Sequence, residues 1–257
     1  MSESPAEGSV WPYPLWIAHR GAGKLAPENT LAAFRVGAAH GFRAFECDAK
    51  LSADGVLFLL HDDTLDRTTP ARGVAGERPW SALSRLDAGG WHGRGFAGEP
   101  LASLDAIAAF VLRNGHALNI EIKPTPGLAR ETGRAVALEA ARLWQGQALP
   151  PLLSSFEPDA LAAARDAVPA LPRALLLDAL PGDWFEQAVS LGCSAVVTAY
   201  PLMDAAVIAR LHGAGLRALC YTVNDAAEVA RLLGLGIDGI ITDAVDRFAP
   251  AGPMLLD

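Results

Sequence analysis

Eight short apolar runs alternate with alanine- and leucine-rich stretches of helical spacing along almost the whole chain. Strands that alternate with helices usually form a parallel sheet, because each crossover helix returns the chain to the same edge. Eight such units in 257 residues predict an α/β fold, a (β/α)8 TIM barrel. The competing doubly wound open sheet is disfavoured, since no G-x-G-x-x-G follows the first strand. The predicted strands are residues 15–19, 44–50, 117–123, 151–155, 173–177, 195–198, 217–222 and 238–243.

Helix start and stop signals agree with this alternation. Asn29 or Thr30 can cap the first helix, which Gly41 follows, and Asp225 can cap the last helix. The predicted helices include residues 31–40, 129–144, 158–166, 203–212 and 226–233.

One region breaks the alternation, directly after the second strand. Residues 51–55 carry a turn signal, and residues 56–60 have the pattern of the second strand of a hairpin. Residues from about 62 to 101 then contain several glycines and one short helix candidate, 80–86. We therefore expect a small insertion after the second strand, on the barrel face that holds active sites. Since no linker or low-complexity segment divides the chain, we expect a single domain over residues 1–257.

Charge and cysteine content restrict the partners and the compartment. The net charge of −8 argues against nucleic acid as a partner, and an anionic substrate would need local cations. Cys47, Cys193 and Cys220 form no CxxC and are expected to be buried thiols, which favours a cytoplasmic location. Residues 1–10 lack the pattern of a signal peptide, and no apolar run approaches the roughly 18 residues of a membrane span. We predict a monomer or homodimer without stable membrane insertion.

Three carboxylates on two neighbouring strands are candidate metal ligands. Glu46 and Asp48 share one face of the second strand, and Asn119, Glu121 and Lys123 share one face of the next. Adjacent carboxylates repel each other unless a cation lies between them, and all-oxygen ligands favour Mg²⁺ or Ca²⁺. The alternatives are a solvated strand face for Glu46 and Asp48, and a plain ion pair between Glu121 and Lys123.

Two histidines end strands near these acids. His19 ends the first strand, and His61 ends the hairpin after the second. Two imidazoles on opposite sides of a bound group can act as general base and general acid near neutral pH. Arg20 and Lys123 supply local cations for a phosphate. The remaining histidines are expected to be ordinary structural or surface residues without acidic neighbours: His40, His92, His116 and His212.

An ordered set of short motifs resembles that of the glycerophosphodiester phosphodiesterase family, over residues 17–246. The motifs are His19-Arg20-Gly21, Pro27-Glu28-Asn29-Thr30, Glu46-x-Asp48, His61-Asp62-x-x-Leu65-x-Arg67-Thr68-Thr69, Glu121-Ile122-Lys123, Tyr221-Thr222-Val223-Asn224 and Thr242-Asp243. Members of that family hydrolyse deacylated phospholipid head groups, such as glycerophosphocholine or glycerophosphoethanolamine, to glycerol 3-phosphate and an alcohol. The resemblance implies the same reaction here, on a barrel with an insertion after the second strand.

The resemblance also implies a role for each matching residue. It makes His19 the general base and His61 the general acid, with Arg20 and Lys123 on the phosphate. One divalent cation, Mg²⁺ or Ca²⁺, would be held by Glu46, Asp48 and Glu121. Tyr221 departs from the family pattern, because the family usually has tryptophan at this position. The resemblance therefore implies a substrate-binding residue whose aromatic ring is smaller and carries a hydroxyl.

Two other functions fit the same residues. A lysophospholipase D-like activity would need an apolar entrance at a membrane, for which Trp80, Trp91 and Phe96 in the insertion are candidates. A catalytically silent barrel that binds glycerophosphodiesters would not need the pair formed by His19 and His61.

Overall fold

The computed structural model describes residues 11–248, so the signal-peptide prediction for residues 1–10 lies outside the described part. Eight of its strands are parallel and the remaining one, β3, is antiparallel to its neighbour. The strands are β1 (Trp16–Ala18), β2 (Ala44–Leu51), β3 (Leu57–Leu59), β4 (Ala117–Ile122), β5 (Leu152–Ser155), β6 (Arg173–Leu177), β7 (Ala195–Ala199), β8 (Arg217–Tyr221) and β9 (Gly239–Thr242).

Pairing of β1 with both β9 and β2 closes the sheet into a barrel. In sequence order, each of the other parallel strands pairs with the next one: β2 with β4, and so on to β9. Closure removes the free edges of the sheet and brings the carboxyl ends of all eight strands to one face. The predicted (β/α)8 barrel is therefore confirmed.

Helices lie between the parallel strands. Thr30 caps the first of them by accepting a hydrogen bond from the backbone N–H of Ala33, and Asp225 caps the last, as the sequence suggested. The second helix is shorter than expected, and the third and the sixth helix were not predicted from the sequence. The helices are α1 (Leu31–Ala39), α2 (Trp80–Leu83), α3 (Leu104–Arg113), α4 (Ala129–Leu143), α5 (Pro158–Ala167), α6 (Trp184–Ser190), α7 (Ala205–Gly213) and α8 (Ala226–Leu235).

Alternate residues of each parallel strand divide between two cores. The outward residues pack against the helices, and the inward residues fill the barrel below the site. Towards the carboxyl ends of β2 and β4 the inward residues become polar. The apolar residues of the lower interior are Ile17, Ala44, Ala117, Leu152, Ala174, Leu176, Ala195, Val197, Leu219 and Ile241.

The expected insertion follows the hairpin of β2 and β3. Ala49 pairs with Leu59 and Leu51 with Leu57, so the hairpin extends β2 beyond the barrel rim. Between β3 and α3 the chain forms α2 and two short 3-10 helices around a separate apolar cluster that includes Phe58 and Leu65. Leu60, which precedes His61, belongs to this cluster, and its backbone N–H donates to the backbone oxygen of Asp48 at 3.0 Å.

Candidate active site

Glu46, Asp48 and Glu121 form a cluster of buried carboxylates at the carboxyl ends of β2 and β4. Their side chains point inward from adjacent strands, because Asp48 is the register partner of Glu121. Oxygen atoms of the three groups all lie within 4.8 Å of one another, and the residues are only 2%, 1% and 9% exposed. The sequence therefore correctly placed these three residues together.

The charge state of this cluster depends on burial and on mutual repulsion. Burial and the neighbouring charge of Asp48 raise the pKa of Glu46 to about 8 and that of Glu121 to about 7. Oε1 of Glu46 is buried without a hydrogen-bond partner among the described residues. An unpartnered carboxylate oxygen beside two further carboxylates is a suitable donor set for a hard divalent cation.

His19 stands at the end of β1 and is held by the end of β9. Its Nδ1 lies 2.7 Å from Oδ1 of Asp243, whose Oδ2 accepts a hydrogen bond from Nδ2 of Asn224. Nε2 of His19 lies 3.8 Å from Oε2 of Glu46. Burial lowers the pKa of His19, but the hydrogen bond to Asp243 and the charge of Glu46 outweigh it and raise the pKa.

Arg20 occupies a left-handed backbone conformation, with φ of 50°, in the turn that follows β1. In this turn its backbone N–H donates to Oε2 of Glu46, at 3.0 Å, while its guanidinium Nη1 donates to Oε1 of Glu28 at 2.9 Å. Nε lies 3.2 Å from Oδ2 of Asp48. A positive φ is uncommon for a residue with a Cβ, and here it places both backbone and side chain on site carboxylates.

Asn29 positions Asp48 and does not cap α1. Its Nδ2 donates to Oδ2 of Asp48 at 2.8 Å, and its Oδ1 accepts from the backbone N–H of Asp48 at 3.1 Å. Asn29 also has a positive φ, of 60°, which asparagine tolerates better than most residues. The choice between Asn29 and Thr30 as the cap, left open by the sequence, is settled for Thr30.

His61 lines the same cavity as His19 and is held by the residue next to it. Its Nδ1 lies 2.8 Å from Oδ1 of Asp62. Burial lowers the pKa of His61, and the nearby charges of Asp48 and Arg20 act in opposite directions. Asp62 in turn accepts two hydrogen bonds from the guanidinium of Arg67.

Lys123 and an aromatic wall complete the cavity. Nζ of Lys123 donates to Oε1 of Glu121 at 2.9 Å and lies 5.5 Å from the ring centroid of Phe156. The ring of Phe156 meets that of Tyr221 edge to face, and the Tyr221 hydroxyl donates to the backbone oxygen of Leu177. The ion pair between Glu121 and Lys123, one of the alternatives for these residues, is thus present within the same site.

The cavity has a volume of about 340 Å³ and opens at the carboxyl ends of the strands. Seven of the eight residues predicted for the site line it, and the eighth, Asp48, is buried in the same carboxylate cluster. The seven are His19, Arg20, Glu46, His61, Glu121, Lys123 and Tyr221.

One expectation about the other histidines is wrong. Nε2 of His212 lies 2.7 Å from Oδ2 of Asp238, so this histidine has an acidic partner. His212 is in the last turn of α7, and Asp238 precedes β9, which places the pair at the amino-terminal ends of the strands. Spacing did not reveal the contact, because it joins the connections before β8 and β9, which meet only when these two strands pair.

Asp243 and Asn29 contact predicted site residues, but neither was predicted to belong to the site itself. Asp243 directly follows β9, and β9 is the neighbour of β1 in any closed eight-stranded barrel of this order. Because the carboxyl ends of neighbouring parallel strands meet, a contact between Asp243 and His19 could have been inferred. The motif Pro27-Glu28-Asn29-Thr30 singled out Asn29, but its contact with Asp48 could not be inferred, because it depends on the backbone conformation of Asn29.

The fold and the cavity define a (β/α)8-barrel enzyme whose titratable groups surround the carboxyl ends of the strands. A model of the glycerophosphoryl diester phosphodiesterase family matches residues 19–247. The chain belongs to this family, and the predicted enzyme class, a glycerophosphodiester phosphodiesterase, is confirmed.

Similar proteins cover almost the whole chain. It is 30% identical to Bacillus subtilis YhdW over 239 residues, which are 90% of this chain and 94% of that protein. A phosphodiesterase of Oleispira antarctica, solved in complex with its product sn-glycerol-3-phosphate, has a TM-score of 0.85 and 33% identity, covering 91% of this chain and 95% of that chain. A glycerophosphodiester phosphodiesterase of Agrobacterium tumefaciens has a TM-score of 0.77 and 29% identity, covering 91% and 98%.

Within residues 11–248 no helix is both long enough and apolar enough to cross a membrane.

Proposed function

We propose that this enzyme hydrolyses glycerophosphodiesters, such as glycerophosphocholine and glycerophosphoethanolamine, to sn-glycerol 3-phosphate and an alcohol, using one Mg²⁺ or Ca²⁺. The observation that carries the proposal is the buried cluster of Glu46, Asp48 and Glu121 between two histidines that are each held by a carboxylate. The Oleispira antarctica relative, bound to sn-glycerol-3-phosphate, supports the same product. We further propose a single-domain enzyme over residues 1–257 that acts in the cytoplasm.

The charges in the cavity support a cation requirement. Arg20 and Lys123 are proposed to bind the phosphate, yet each is already paired with carboxylates of the cluster. When all three carboxylates are ionised, they outnumber these two cations and leave the cluster negative towards an anionic substrate. A divalent cation held by Glu46, Asp48 and Glu121 would offset this charge and act as a Lewis acid on a phosphate oxygen.

The two histidines can exchange protons with the reacting oxygens through Nε2. Asp243 and Asp62 hold Nδ1 of His19 and of His61, so each Nε2 is left for the substrate. We propose His19 as the base that takes a proton from the nucleophile and His61 as the acid that protonates the departing alkoxide.

Without a cation, the pKa shifts of the two histidines oppose these roles, because a base must be neutral and an acid must be protonated. The pKa of His19 is raised, in part by the charge of Glu46, and that of His61 is lowered, mainly by burial. Neutralising Glu46 removes one of the contributions that raise the pKa of His19. A substrate phosphate beside His61 would favour its protonated form. The first change lowers the pKa of His19, as a base requires, and the second raises the pKa of His61, as an acid requires.

The apolar side of the cavity suits the glycerol part of the substrate. Phe156, Leu176 and Tyr221 supply apolar surface to the lining of the cavity. Because the Tyr221 hydroxyl is bonded to the backbone oxygen of Leu177, we propose that Tyr221 meets the glycerol with its ring edge and not with its hydroxyl.

A lysophospholipase D-like activity receives less support from the insertion. The ring of Trp80 packs near that of Phe58, and Phe96 packs against the main core. Trp91 is 43% exposed, but a single exposed ring does not make the apolar entrance that a lipid substrate needs. Co-sedimentation with phospholipid vesicles that contain lysophospholipid would favour the lipid activity, and its absence the small-molecule one.

A coupled assay for sn-glycerol 3-phosphate, run with Mg²⁺, with Ca²⁺ and with excess chelator, tests the proposal. We expect product with at least one head group and a cation, and none in chelator. Replacing His19 or His61 by alanine should lower kcat by roughly 10²- to 10⁴-fold, because each removes one proton-transfer group. His40→Ala, a change at the end of α1 far from the cavity, is the matched control and should leave kcat unchanged.

Three results would contradict the proposal. Absence of product with every head group would exclude the activity, and full activity in chelator would exclude the cation. Activity within tenfold of wild type in both His19→Ala and His61→Ala would exclude the acid–base roles.

A further inference from the structure

Arg67 lies in the insertion, outside the catalytic cavity, and binds two carboxylates at once. Its Nε and Nη2 donate to Oδ2 and Oδ1 of Asp62 at 2.7 and 2.9 Å. Its Nη1 and Nη2 donate to Oε2 and Oε1 of Glu28 at 2.7 and 2.8 Å. All four distances are in the range of charge-assisted hydrogen bonds, and each carboxylate is bound in the bidentate manner.

Each of these carboxylates also holds a residue of the proposed active site. Oε1 of Glu28 accepts a hydrogen bond from Nη1 of Arg20 at 2.9 Å. Oδ1 of Asp62 lies 2.8 Å from Nδ1 of His61. A continuous chain of hydrogen bonds therefore joins Arg20 to His61 through Glu28, Arg67 and Asp62, and we call this chain the Arg67 bridge.

The bridge joins the side chains of two separate connections, in addition to the contacts that both connections make with Asp48 of β2. Arg20 and Glu28 belong to the connection between β1 and α1, while His61 and Asp62 follow β3 in the hairpin. The Trp91 ring covers one side of the bridge, with its centroid 5.9 Å from the Arg67 guanidinium carbon. Both carboxylates are ionised, since hydrogen bonds from Arg67 lower the pKa of Asp62 and, against burial, that of Glu28.

We propose that Arg67 is a positioning residue that sets the distance between the phosphate-binding Arg20 and the proton-donating His61, a role that rests on the function proposed above. Only an arginine presents donors to two carboxylates in one plane, whereas a lysine ammonium binds as a point charge. Loss of Arg67 would leave two ionised carboxylates facing each other, and both would draw Arg20 and His61 out of place.

Kinetics of Arg67→Met and Arg67→Lys on glycerophosphocholine test the role. We expect Arg67→Met to lower kcat, through His61, and to raise KM, through Arg20, each by about tenfold, so that kcat/KM falls about 100-fold. Arg67→Lys should recover only part of this loss, and added guanidinium should restore part of the activity of Arg67→Met. Arg72→Met is the control, because Arg72 is 88% exposed and pairs only with Asp66 among the described residues.

A double-mutant cycle separates positioning from general stability. Asp62→Asn and Arg67→Met act on the same chain, so we expect their combined effect on kcat to be clearly smaller than the product of the single effects. Additive effects on kcat, or a lowered Tm with unchanged kcat and KM in Arg67→Met, would overturn the proposal.

A measurement without turnover keeps this proposal separate from the proposed activity. In the nitrogen NMR spectrum we expect the Nδ1 proton of His61 to be protected in the wild-type protein and to exchange rapidly in Arg67→Met. If the wild-type protein makes no product, but the His61 Nδ1 proton exchanges more slowly in it than in Arg67→Met, the proposed function is wrong and the positioning role of Arg67 is supported. If product forms normally and the His61 signal is the same in both proteins, the positioning role of Arg67 is wrong and the proposed function is unaffected.

Discussion

At the scale of single residues, the two proposed catalytic histidines are oriented in the same way. Nδ1 of each is held by a carboxylate, Asp243 for His19 and Asp62 for His61, at 2.7 and 2.8 Å. This contact fixes the ring orientation and makes Nδ1 the donor, so that proton exchange with a substrate takes place at Nε2. The two carboxylates come from different parts of the fold, because Asp243 follows β9 and Asp62 follows β3.

The raised pKa values of Glu46 and Glu121 predict that stabilisation by a divalent cation grows with pH. From about pH 4.5 to 8 these two groups bind more protons in the folded than in the unfolded protein, so the free energy of unfolding without a cation falls as pH rises. Each pKa unit corresponds to about 1.4 kcal/mol. With about 2–4 °C of Tm per kcal/mol for a chain of this size, the cation-induced rise in Tm should be several degrees larger at pH 8 than at pH 6.

Thermal unfolding with excess Mg²⁺ or Ca²⁺, and with chelator, measures this difference at both pH values. Glu46→Gln is the control, because glutamine has a similar shape to glutamate but does not titrate. This variant should therefore show a smaller pH dependence of the cation-induced rise in Tm. An equal cation-induced rise in Tm at pH 6 and pH 8 in the wild-type protein would contradict the assigned pKa directions.

Alternation along a strand was enough to predict the carboxylate cluster. Glu46, Asp48 and Glu121 are inward residues of two neighbouring strands, and strand periodicity gives this directly. It was not enough for Asn29 or for Glu28, which act from the connection between β1 and α1. Their positions depend on positive φ values and on a guanidinium 39 residues further along the chain, and neither leaves a periodic pattern.

At the scale of elements, the site depends on how the turn after β1 meets the end of β9. Gly23, with φ of +55°, donates its backbone N–H to the backbone oxygen of His19 at 2.8 Å. A Cβ at Gly23 would overlap the backbone of Asp243. This close approach keeps Asp243 within hydrogen-bond distance of His19, so a glycine is required by the contact as well as by the backbone conformation.

Gly23→Ala is therefore expected to impair both stability and activity, whereas an alanine at another left-handed glycine should affect stability alone. Gly215 follows α7 with φ of +74° and has no atom within 4 Å of a built Cβ, so Gly215→Ala should cost about 1–2 kcal/mol of backbone strain. Gly23→Ala should cost about 1–3 kcal/mol more, from overlap with Asp243, and should also lower kcat. Chemical denaturation and the product assay measure both effects, and equal losses in the two variants would contradict this reading of the contact.

The strands were easier to predict than the helices. Each parallel strand was located to within two residues at either end, because a buried strand is a continuous apolar run. α3 (Leu104–Arg113) begins after an apolar segment of the insertion, and its cap, Ser103, is not distinctive in sequence. α6 (Trp184–Ser190) has only seven residues, too few for helical periodicity to stand out.

At the scale of the whole molecule, a net charge of −8 surrounds a site that is proposed to bind an anion. The long-range field repels a negatively charged substrate, while Arg20 and Lys123 attract its phosphate only at short range. Glycerophosphocholine is a zwitterion without net charge, so the field affects it far less than it affects glycerophosphoglycerol, which is an anion.

Added salt should therefore favour the anionic substrate over the zwitterion. The screening length falls from about 30 Å at 0.01 M salt to about 8 Å at 0.15 M, which removes repulsion from distant charges but spares contacts within the cavity. We expect the ratio of kcat/KM for glycerophosphoglycerol to that for glycerophosphocholine to rise by a factor of about two to five over this range. A ratio that falls with salt would show that local attraction dominates the encounter.

Closure of the barrel by β1 and β9 has a consequence for how the enzyme acquires activity during folding. His19 and Asp243 are 224 residues apart in sequence, and Arg20 and Glu46 meet only when β1 also pairs with β2. Contacts of such long range form late, since nearly the whole chain must be ordered before they are gained. After dilution from denaturant, turnover should therefore recover more slowly than the helical circular dichroism signal. The rate at which turnover recovers should report the pairing of β1 with β9.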